Sequence, residues 1–373
     1  MTYAAITGWG KCMPPAILSN ADLATFLETD DEWISSRTGI HERRVSHVSG
    51  LDLAHVASAR ALACAGLPAS ELQLIVYGSC SNDEQIPNSA SGLQWKLGAA
   101  KSGAMDVNTA CTSFLYALST ATAMIRSGVV TNALVVGVEV ISPFMDWSNR
   151  NVSVLFGDGA AAVVLQATDR HEGLLGERLG CFADARHTLR VRGPGFIYGS
   201  GNVVVGDTLW DFDGREIFRR AVAGMSEAST EVLVKCGHHV DDIDLVVPHQ
   251  ANLRIIESVA KRIGAPMDRV FLTIERYGNM SAATVPVALV EALEGGRVEP
   301  GALILMPAFG GGLTWCSHLV RWGERTTPLA TIDADLPPCN QTALELVRGF
   351  IARREPAGRS TAGLMAPKFA ESA

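Results

Sequence analysis

A cysteine, a histidine and an asparagine lie far apart in this sequence but in similar local settings. Cys111 follows the apolar segment 104–107 and precedes a helical pattern, so it is predicted to lie at a helix N-terminus. Unpaired backbone N–H groups and the helix dipole favour a thiolate there, and a lowered thiol pKa would make Cys111 a nucleophile. His249 and Asn279 each follow an apolar run at a predicted strand-to-helix turn. These three residue types in such positions suit thioester chemistry.

Each of the three residues taken alone has a simpler interpretation. A free cysteine such as Cys111 is most often a buried structural residue. A lone histidine such as His249 is more often a satisfied core residue, and Asn279 is typical of a turn. The prediction of catalysis therefore depends on their occurring together.

Seven short segments, taken in order, resemble beta-ketoacyl-acyl-carrier-protein synthase III, and the match runs from about Thr2 to Trp322. The segments are Asp31–Ile34, Arg37–Ile40, Ala110–Cys111, Phe156–Ala160, Pro248–Arg254, Gly278–Asn279 and Phe309–Gly312. The resemblance implies a thiolase fold: two duplicated βαβαβαββ halves that form a five-layered α-β-α-β-α structure, usually as a homodimer.

The residue pattern predicts a short helix with Asn20 as its N-cap, a polar loop at 31–44, helices at 89–97 and 214–236, and a strand at 270–273. The order of predicted strands and helices occurs twice, which independently favours a duplicated α/β protein with mostly parallel sheets. We predict an N-terminal half at 1–168 with the nucleophilic cysteine and a C-terminal half at 169–322 with the histidine and asparagine. Residues 323–373 are rich in Pro, Thr, Ala and Ser and lie outside the resemblance. We expect this extension to be partly ordered.

The resemblance also implies roles for individual residues. The backbone N–H groups of Cys111 and Gly311 would form the oxyanion hole. The resemblance implies further roles for three groups of residues. It assigns coenzyme A binding to Trp33, Arg37, Arg150 and Asn252, the primer pocket to Ile86 and Phe309, and carrier-protein docking to Arg219, Arg254, Lys261 and Arg262. Ile86 stands where the family often has Phe, so we expect room for a primer longer than acetyl. From the pattern alone, Trp33 and the basic residues also fit an ordinary solvated surface.

The expected reaction is a decarboxylative Claisen condensation that initiates fatty acid synthesis. An acyl group from acyl-CoA would be loaded on Cys111 and condensed with malonyl-acyl carrier protein, with no metal or other cofactor. Two alternatives stay open: a thiolase-fold acyltransferase of secondary metabolism, and a non-catalytic partner or scaffold of the same fold. The sequence does not decide primer length, pathway, or whether carrier protein or coenzyme A holds the acceptor.

The composition of the chain indicates which partners and which cellular environment to expect. The 373 residues carry a net charge of −8, which argues against nucleic acid as a partner. We find neither a signal peptide nor an apolar run near the roughly 20 residues that a membrane span needs. Eight cysteines without metal-site spacing favour a reducing, cytoplasmic environment.

Overall fold

A mixed sheet of nine strands joins both halves of the chain in the computed structural model, which describes residues 2–191 and 210–354. The strands are β1 (Tyr3–Cys12), β2 (Ala16–Ser19), β3 (Glu42–Val45), β4 (Leu74–Gly78), β5 (Gly103–Val107), β6 (Asn132–Glu139), β7 (Gly159–Thr168), β8 (Gly173–Cys181), β9 (Leu189–Val191), β10 (Trp210–Phe212), β11 (Leu245–Val246), β12 (Leu303–Gly310) and β13 (Thr314–Arg321). The order in the large sheet is β11-β12-β13-β8-β1-β7-β6-β4-β5. Strands β2 and β3, and strands β9 and β10, form two separate two-stranded antiparallel sheets.

Helices cover both faces of this sheet. They are α1 (Asn20–Ala24), α2 (Asp31–Thr38), α3 (Gly50–Ala65), α4 (Ser89–Leu97), α5 (Ser113–Arg126), α6 (Arg150–Ser153), α7 (Gly214–Cys236), α8 (Leu253–Ile263), α9 (Ile274–Tyr277), α10 (Thr284–Glu294) and α11 (Ala343–Arg354). Among the described residues, none of these helices is both long and apolar enough to cross a membrane.

Helices α5 and α10 form the middle layer of the molecule. Most residues of both helices are buried, and their apolar side chains share one core with strands from the two halves, including β1, β6, β12 and β13. Helices α3 and α4 pack on the outer side of the N-terminal strands, and α7 and α8 pack on the outer side of the C-terminal strands. The predicted five-layered α/β fold is confirmed. The prediction of mostly parallel sheets is wrong, because half of the pairings in the nine-stranded sheet, including β1 with β7 and β12 with β13, are antiparallel.

Some local predictions were wrong. The segment 31–44, predicted as a polar loop, contains α2 and β3. The N-cap of α1 is Ser19, not Asn20, because the Ser19 hydroxyl accepts the Asp22 N–H in a capping box. The predicted strand at 270–273 contributes only a single bridge, between Val246 and Val270.

The extension follows the surface of the N-terminal half as far as residue 354. Asp335 pairs with Arg60 at 2.6 Å, and α11 buries Val347 and Phe350 in a core shared with β2 and β3. Residues 355–373, the rest of the predicted extension, lie outside the described residues, and the boundaries at 168 and 322 stay predictions.

Candidate active site

Cys111 lies in a sharp turn between β5 and α5. A short 3₁₀ segment, Ala110–Thr112, makes this turn, and Ala110 has a φ of 52°. Left-handed backbone is costly for a residue with a Cβ, and such strain concentrates at functional sites. On the other side of the turn a Cβ on Gly310 would lie only 2.7 Å from the Cys111 nitrogen. The turn therefore requires glycine at position 310, where strand β12 ends.

Three hydrogen-bonding groups contact the sulfur of Cys111. They are its own backbone N–H, the backbone N–H of Gly311 and the hydroxyl of Ser281. Despite these contacts, burial raises the pKa of the Cys111 thiol to about 12. The expectation of a lowered thiol pKa is therefore wrong, because desolvation by the packed core exceeds the stabilisation from the amides. The free enzyme holds a thiol whose proton must leave during the reaction.

His249 is held by strand β12 and helix α10. Its backbone N–H donates to Pro307 at 2.9 Å, and its Nδ1 lies 2.6 Å from the Thr284 hydroxyl. The side chain is 2% exposed, and burial lowers the pKa of His249 to about 3, so the imidazole is neutral near neutral pH. Since Thr284 occupies Nδ1, Nε2 is the ring nitrogen left for a substrate.

Asn279 is fixed by the segment that precedes strand β7. Its N–H donates to Leu155 at 2.8 Å, and its carbonyl accepts the Gly157 N–H at 3.1 Å. The Oδ1 atom accepts the Ser281 N–H at 2.8 Å, which assigns the amide orientation and leaves the Nδ2 hydrogens for another acceptor.

Cys111, His249 and Asn279 line one cavity of about 390 Å³. The walls are mainly apolar and include Phe309 and Met225, so the polar groups of the triad stand in a poorly solvated space. Such a site strengthens hydrogen bonds to a developing negative charge.

The predicted coenzyme A residues lie at the other end of this cavity, which Trp33, Arg37 and Asn252 line. The guanidinium carbons of Arg37 and Arg150 lie 4.7 and 4.9 Å from the Trp33 ring centroid. Asn252 caps α8 and donates to the Arg37 carbonyl at 3.1 Å. These contacts hold a flat aromatic ring and two planar cations together at the entrance.

The other predicted site residues lie away from the triad. Arg219, Arg254, Lys261 and Arg262 are all exposed on α7 and α8. Arg254 also donates to the Ser36 carbonyl at 2.8 Å, and Arg219 pairs with Glu216 on its own helix. Ile86 is 86% exposed and does not line the cavity of this chain, so its assignment to the primer pocket stays a prediction.

Four residues around the triad were not predicted from the sequence. Thr284 contacts His249, Ser281 contacts Cys111 and Asn279, Glu139 accepts from Ser281, and Gly310 packs on Cys111. A local signal existed only for Gly310, which lies inside the segment Phe309–Gly312; Ser281 lies two residues after the segment Gly278–Asn279. Among the described residues, no group of three or more His, Cys, Asp or Glu side chains is placed to hold a metal ion.

Comparisons with known proteins agree on one family. Residues 105–182 match the family model 3-oxoacyl-[acyl-carrier-protein (ACP)] synthase III, and residues 233–322 match its C-terminal counterpart. A beta-ketoacyl-[acyl-carrier-protein] synthase III 2 of Vibrio cholerae is 51% identical over 345 residues, which cover 92% of this chain and 95% of that protein. This match is longer than the 322 residues that precede the extension, so it reaches into the extension.

Two solved structures extend the comparison to the fold. The crystal structure of 3-oxoacyl-[acyl-carrier-protein] synthase III from Aquifex aeolicus has a TM-score of 0.80 at 39% identity, covering 86% of this chain and 100% of that one. The priming beta-ketosynthase from the R1128 polyketide biosynthetic pathway has a TM-score of 0.82 at 32% identity, covering 86% and 97%.

Proposed function

The chain belongs to the beta-ketoacyl-acyl-carrier-protein synthase III family of condensing acyltransferases, and we propose that it joins an acyl group from acyl-CoA to malonyl-acyl carrier protein. The observation that carries this proposal is the convergence of Cys111, His249 and Asn279 on one apolar cavity with an aromatic clamp at its entrance.

In the first half-reaction the Cys111 sulfur attacks the carbonyl carbon of the acyl thioester. The tetrahedral oxyanion accepts hydrogen bonds from the backbone N–H groups of Cys111 and Gly311, which already converge on the sulfur. The carbon–sulfur bond to coenzyme A then breaks, and an acyl-Cys111 thioester remains.

In the second half-reaction a malonyl thioester loses carbon dioxide and leaves an enolate. Asn279 Nδ2 and His249 Nε2 donate hydrogen bonds to the enolate oxygen. The Thr284 hydroxyl has one hydrogen and two neighbouring acceptors, the Ser281 carbonyl at 2.9 Å and His249 Nδ1 at 2.6 Å. When it donates to Nδ1, the imidazole hydrogen is on Nε2, where a neutral His249 needs it. The enolate carbon then attacks acyl-Cys111 and releases the beta-ketoacyl product.

Two regions of the protein bind the carriers of the substrates: the entrance of the cavity and the exposed faces of α7 and α8. The adenine of coenzyme A stacks on Trp33 beside Arg37 or Arg150, and Asn252 lines the path to the sulfur. The exposed cations of α7 and α8, above all Arg254, dock the acidic carrier protein by charge complementarity.

The protein acts as a homodimer in this proposal. Strand β5 is an edge strand of the nine-stranded sheet, and unpaired edges are ready to pair with another copy. Ile86 and Trp95, 86% and 80% exposed, both precede that strand in sequence and are large apolar residues that a partner subunit would cover. Ile86 would then border the partner's primer pocket and, being smaller than Phe, admit a primer longer than acetyl.

The test is a product assay with malonyl-acyl carrier protein and a panel of acyl-CoAs from acetyl to medium chain. We expect one carbon dioxide per beta-ketoacyl-acyl carrier protein, the highest rate with a primer longer than acetyl, and no product from Cys111→Ala. The matched control is Cys236→Ala, which removes a free thiol at the end of α7, outside the cavity lining, and keeps the product. Acyl transfer to a different acceptor without carbon dioxide release would contradict the proposal and favour an acyltransferase of secondary metabolism.

A further inference from the structure

A buried carboxylate lies behind the nucleophile. Glu139 ends strand β6, is 0% exposed and accepts hydrogen bonds from several neutral groups. These donors are the hydroxyls of Ser79 (3.2 Å), Ser81 and Ser281 (2.9 Å), the Cys80 thiol (3.3 Å), and the backbone N–H groups of Cys80 (3.2 Å) and Ala282 (3.3 Å). All of its described donors are neutral, so none of them balances the negative charge of the buried carboxylate. Binding a proton is therefore favourable for Glu139.

Ser281 connects this carboxyl to the nucleophile. Its single hydroxyl hydrogen is directed at Glu139 Oε1, so the hydroxyl oxygen is left as an acceptor for the Cys111 thiol, which it contacts. Ser281 has a φ of 46°, and it and Ala110 are the two non-glycine residues with positive φ in the described chain. Ala110 directly precedes Cys111 and Ser281 contacts its sulfur, which indicates that the position of the Ser281 hydroxyl is maintained at a conformational cost.

We propose that Ser281 and Glu139 take up the thiol proton of Cys111 when the enzyme is acylated. This inference rests on the proposed function, because it needs Cys111 to be the acylated residue. Ser281 is the catalytic residue of the pair, since it touches the reacting sulfur, and Glu139 acts through it.

The protons balance over one turnover. As the sulfur–carbon bond forms, the Cys111 proton moves to the Ser281 oxygen and the Ser281 proton moves to Glu139 Oε1. Coenzyme A leaves as a thiolate and takes a proton from solvent. At the end of condensation the Cys111 thiolate is expelled and recovers its proton from Glu139 through Ser281. The enzyme therefore returns to its starting state without an external base.

A protonated Glu139 also suits the second half-reaction. The malonyl carboxylate and the enolate are both anionic, and a neutral Glu139 removes a negative charge from their surroundings. Burial raises the pKa of Glu139, which favours the protonated form. The other titratable groups that interact with Glu139 are Cys80, Cys111 and Tyr77, all neutral in their ordinary forms near pH 7.

The decisive comparison is Ser281→Ala against Ser79→Ala. Each variant removes one serine hydroxyl that donates to Glu139, but Ser79 donates to Oε2, whereas Ser281 donates to Oε1 and contacts the Cys111 sulfur. Serine already carries a Cβ at the φ of position 281, so alanine adds no backbone strain there. We expect acylation by acyl-CoA, followed by quenched-flow mass spectrometry, to slow about a hundredfold in Ser281→Ala and less than about threefold in Ser79→Ala. Equal rates in the two variants would overturn the inference.

A second measurement follows the proton itself. The infrared difference spectrum of acylated minus free wild-type enzyme should gain a protonated-carboxyl band that Glu139→Gln lacks. Failure of this variant to fold leaves the Ser281→Ala comparison intact, and the same band in a folded Glu139→Gln would overturn the inference. If wild-type enzyme forms no acyl-Cys111, the proposed function itself fails. Normal acylation of both wild type and Ser281→Ala would refute the Ser281–Glu139 proton path and leave the proposed function unaffected.

Discussion

Replacing Trp33 with alanine should weaken the binding of acyl-CoA while leaving the chemistry at Cys111 intact. Stacking of a base on an aromatic side chain contributes about 1–3 kcal/mol. In the free protein two guanidinium groups already lie within 5 Å of the Trp33 ring centroid, at 4.7 and 4.9 Å. Displacing one of them costs about 0.5–1 kcal/mol, so the net loss in Trp33→Ala is about 0.5–2 kcal/mol. This corresponds to a KM for acyl-CoA roughly 2- to 30-fold higher.

The assay compares acyl-CoA with acyl-pantetheine, which carries the same thioester but lacks adenine. Trp33→Ala should raise KM only for acyl-CoA, and its kcat should equal that of wild type with either substrate. Tyr3→Ala is the matched control, because it removes another half-buried aromatic ring with a guanidinium over it, that of Arg126 at 5.8 Å, and Tyr3 does not line the cavity. An equal rise in KM for both substrates, or none for acyl-CoA, would refute the clamp.

Four further outcomes are expected. Thr284→Val should slow condensation about a hundredfold while acylation of Cys111 persists, and Thr284→Ser should restore it; equal loss of both half-reactions would contradict the role of His249 Nε2. Gly310→Ala should abolish acylation, because its Cβ would lie 2.7 Å from the Cys111 nitrogen, whereas Gly349→Ala in α11, with its nearest neighbour at 3.8 Å, should not. Burial raises the pKa of the Cys111 thiol to about 12, and the thiolate is the reactive form, so the rate of alkylation by iodoacetamide should rise steadily up to a pH of about 9. A rate that reaches a plateau below a pH of about 8 would refute the raised pKa. Arg254→Glu should raise the KM for malonyl-acyl carrier protein at low salt but not for malonyl-CoA, and an unchanged KM for the carrier protein would exclude docking at α8.

Sequence patterns predicted the elements whose signals are local. Helices α4 and α7 have the predicted bounds, because capping glycines follow both at positions 98 and 237. Helix α2 was missed since it has no apolar stripe, and its signals were only the caps at its two ends. The Asp30 carboxylate accepts the Trp33 N–H, and Gly39 ends the helix at a φ of 78°.

The surroundings of the nucleophile could not be predicted from local signals. Glu139 is the last residue of an apolar strand, and its partners Ser79 and Ser281 lie 60 and 142 residues away in the chain. The thiol pKa was mispredicted for the same reason. Backbone amides near Cys111 are a local feature, whereas the desolvation that exceeds their effect comes from segments distant in sequence.

The most direct test of the account is the intact mass of the protein after exposure to acyl-CoA, with the modified peptide mapped and malonyl-acyl carrier protein then added. We expect a single acyl adduct on Cys111 that disappears on addition of the malonyl thioester as the beta-ketoacyl product forms. An adduct on another residue, an adduct that persists in Cys111→Ala, or an acyl-Cys111 that the malonyl thioester does not consume would contradict the account.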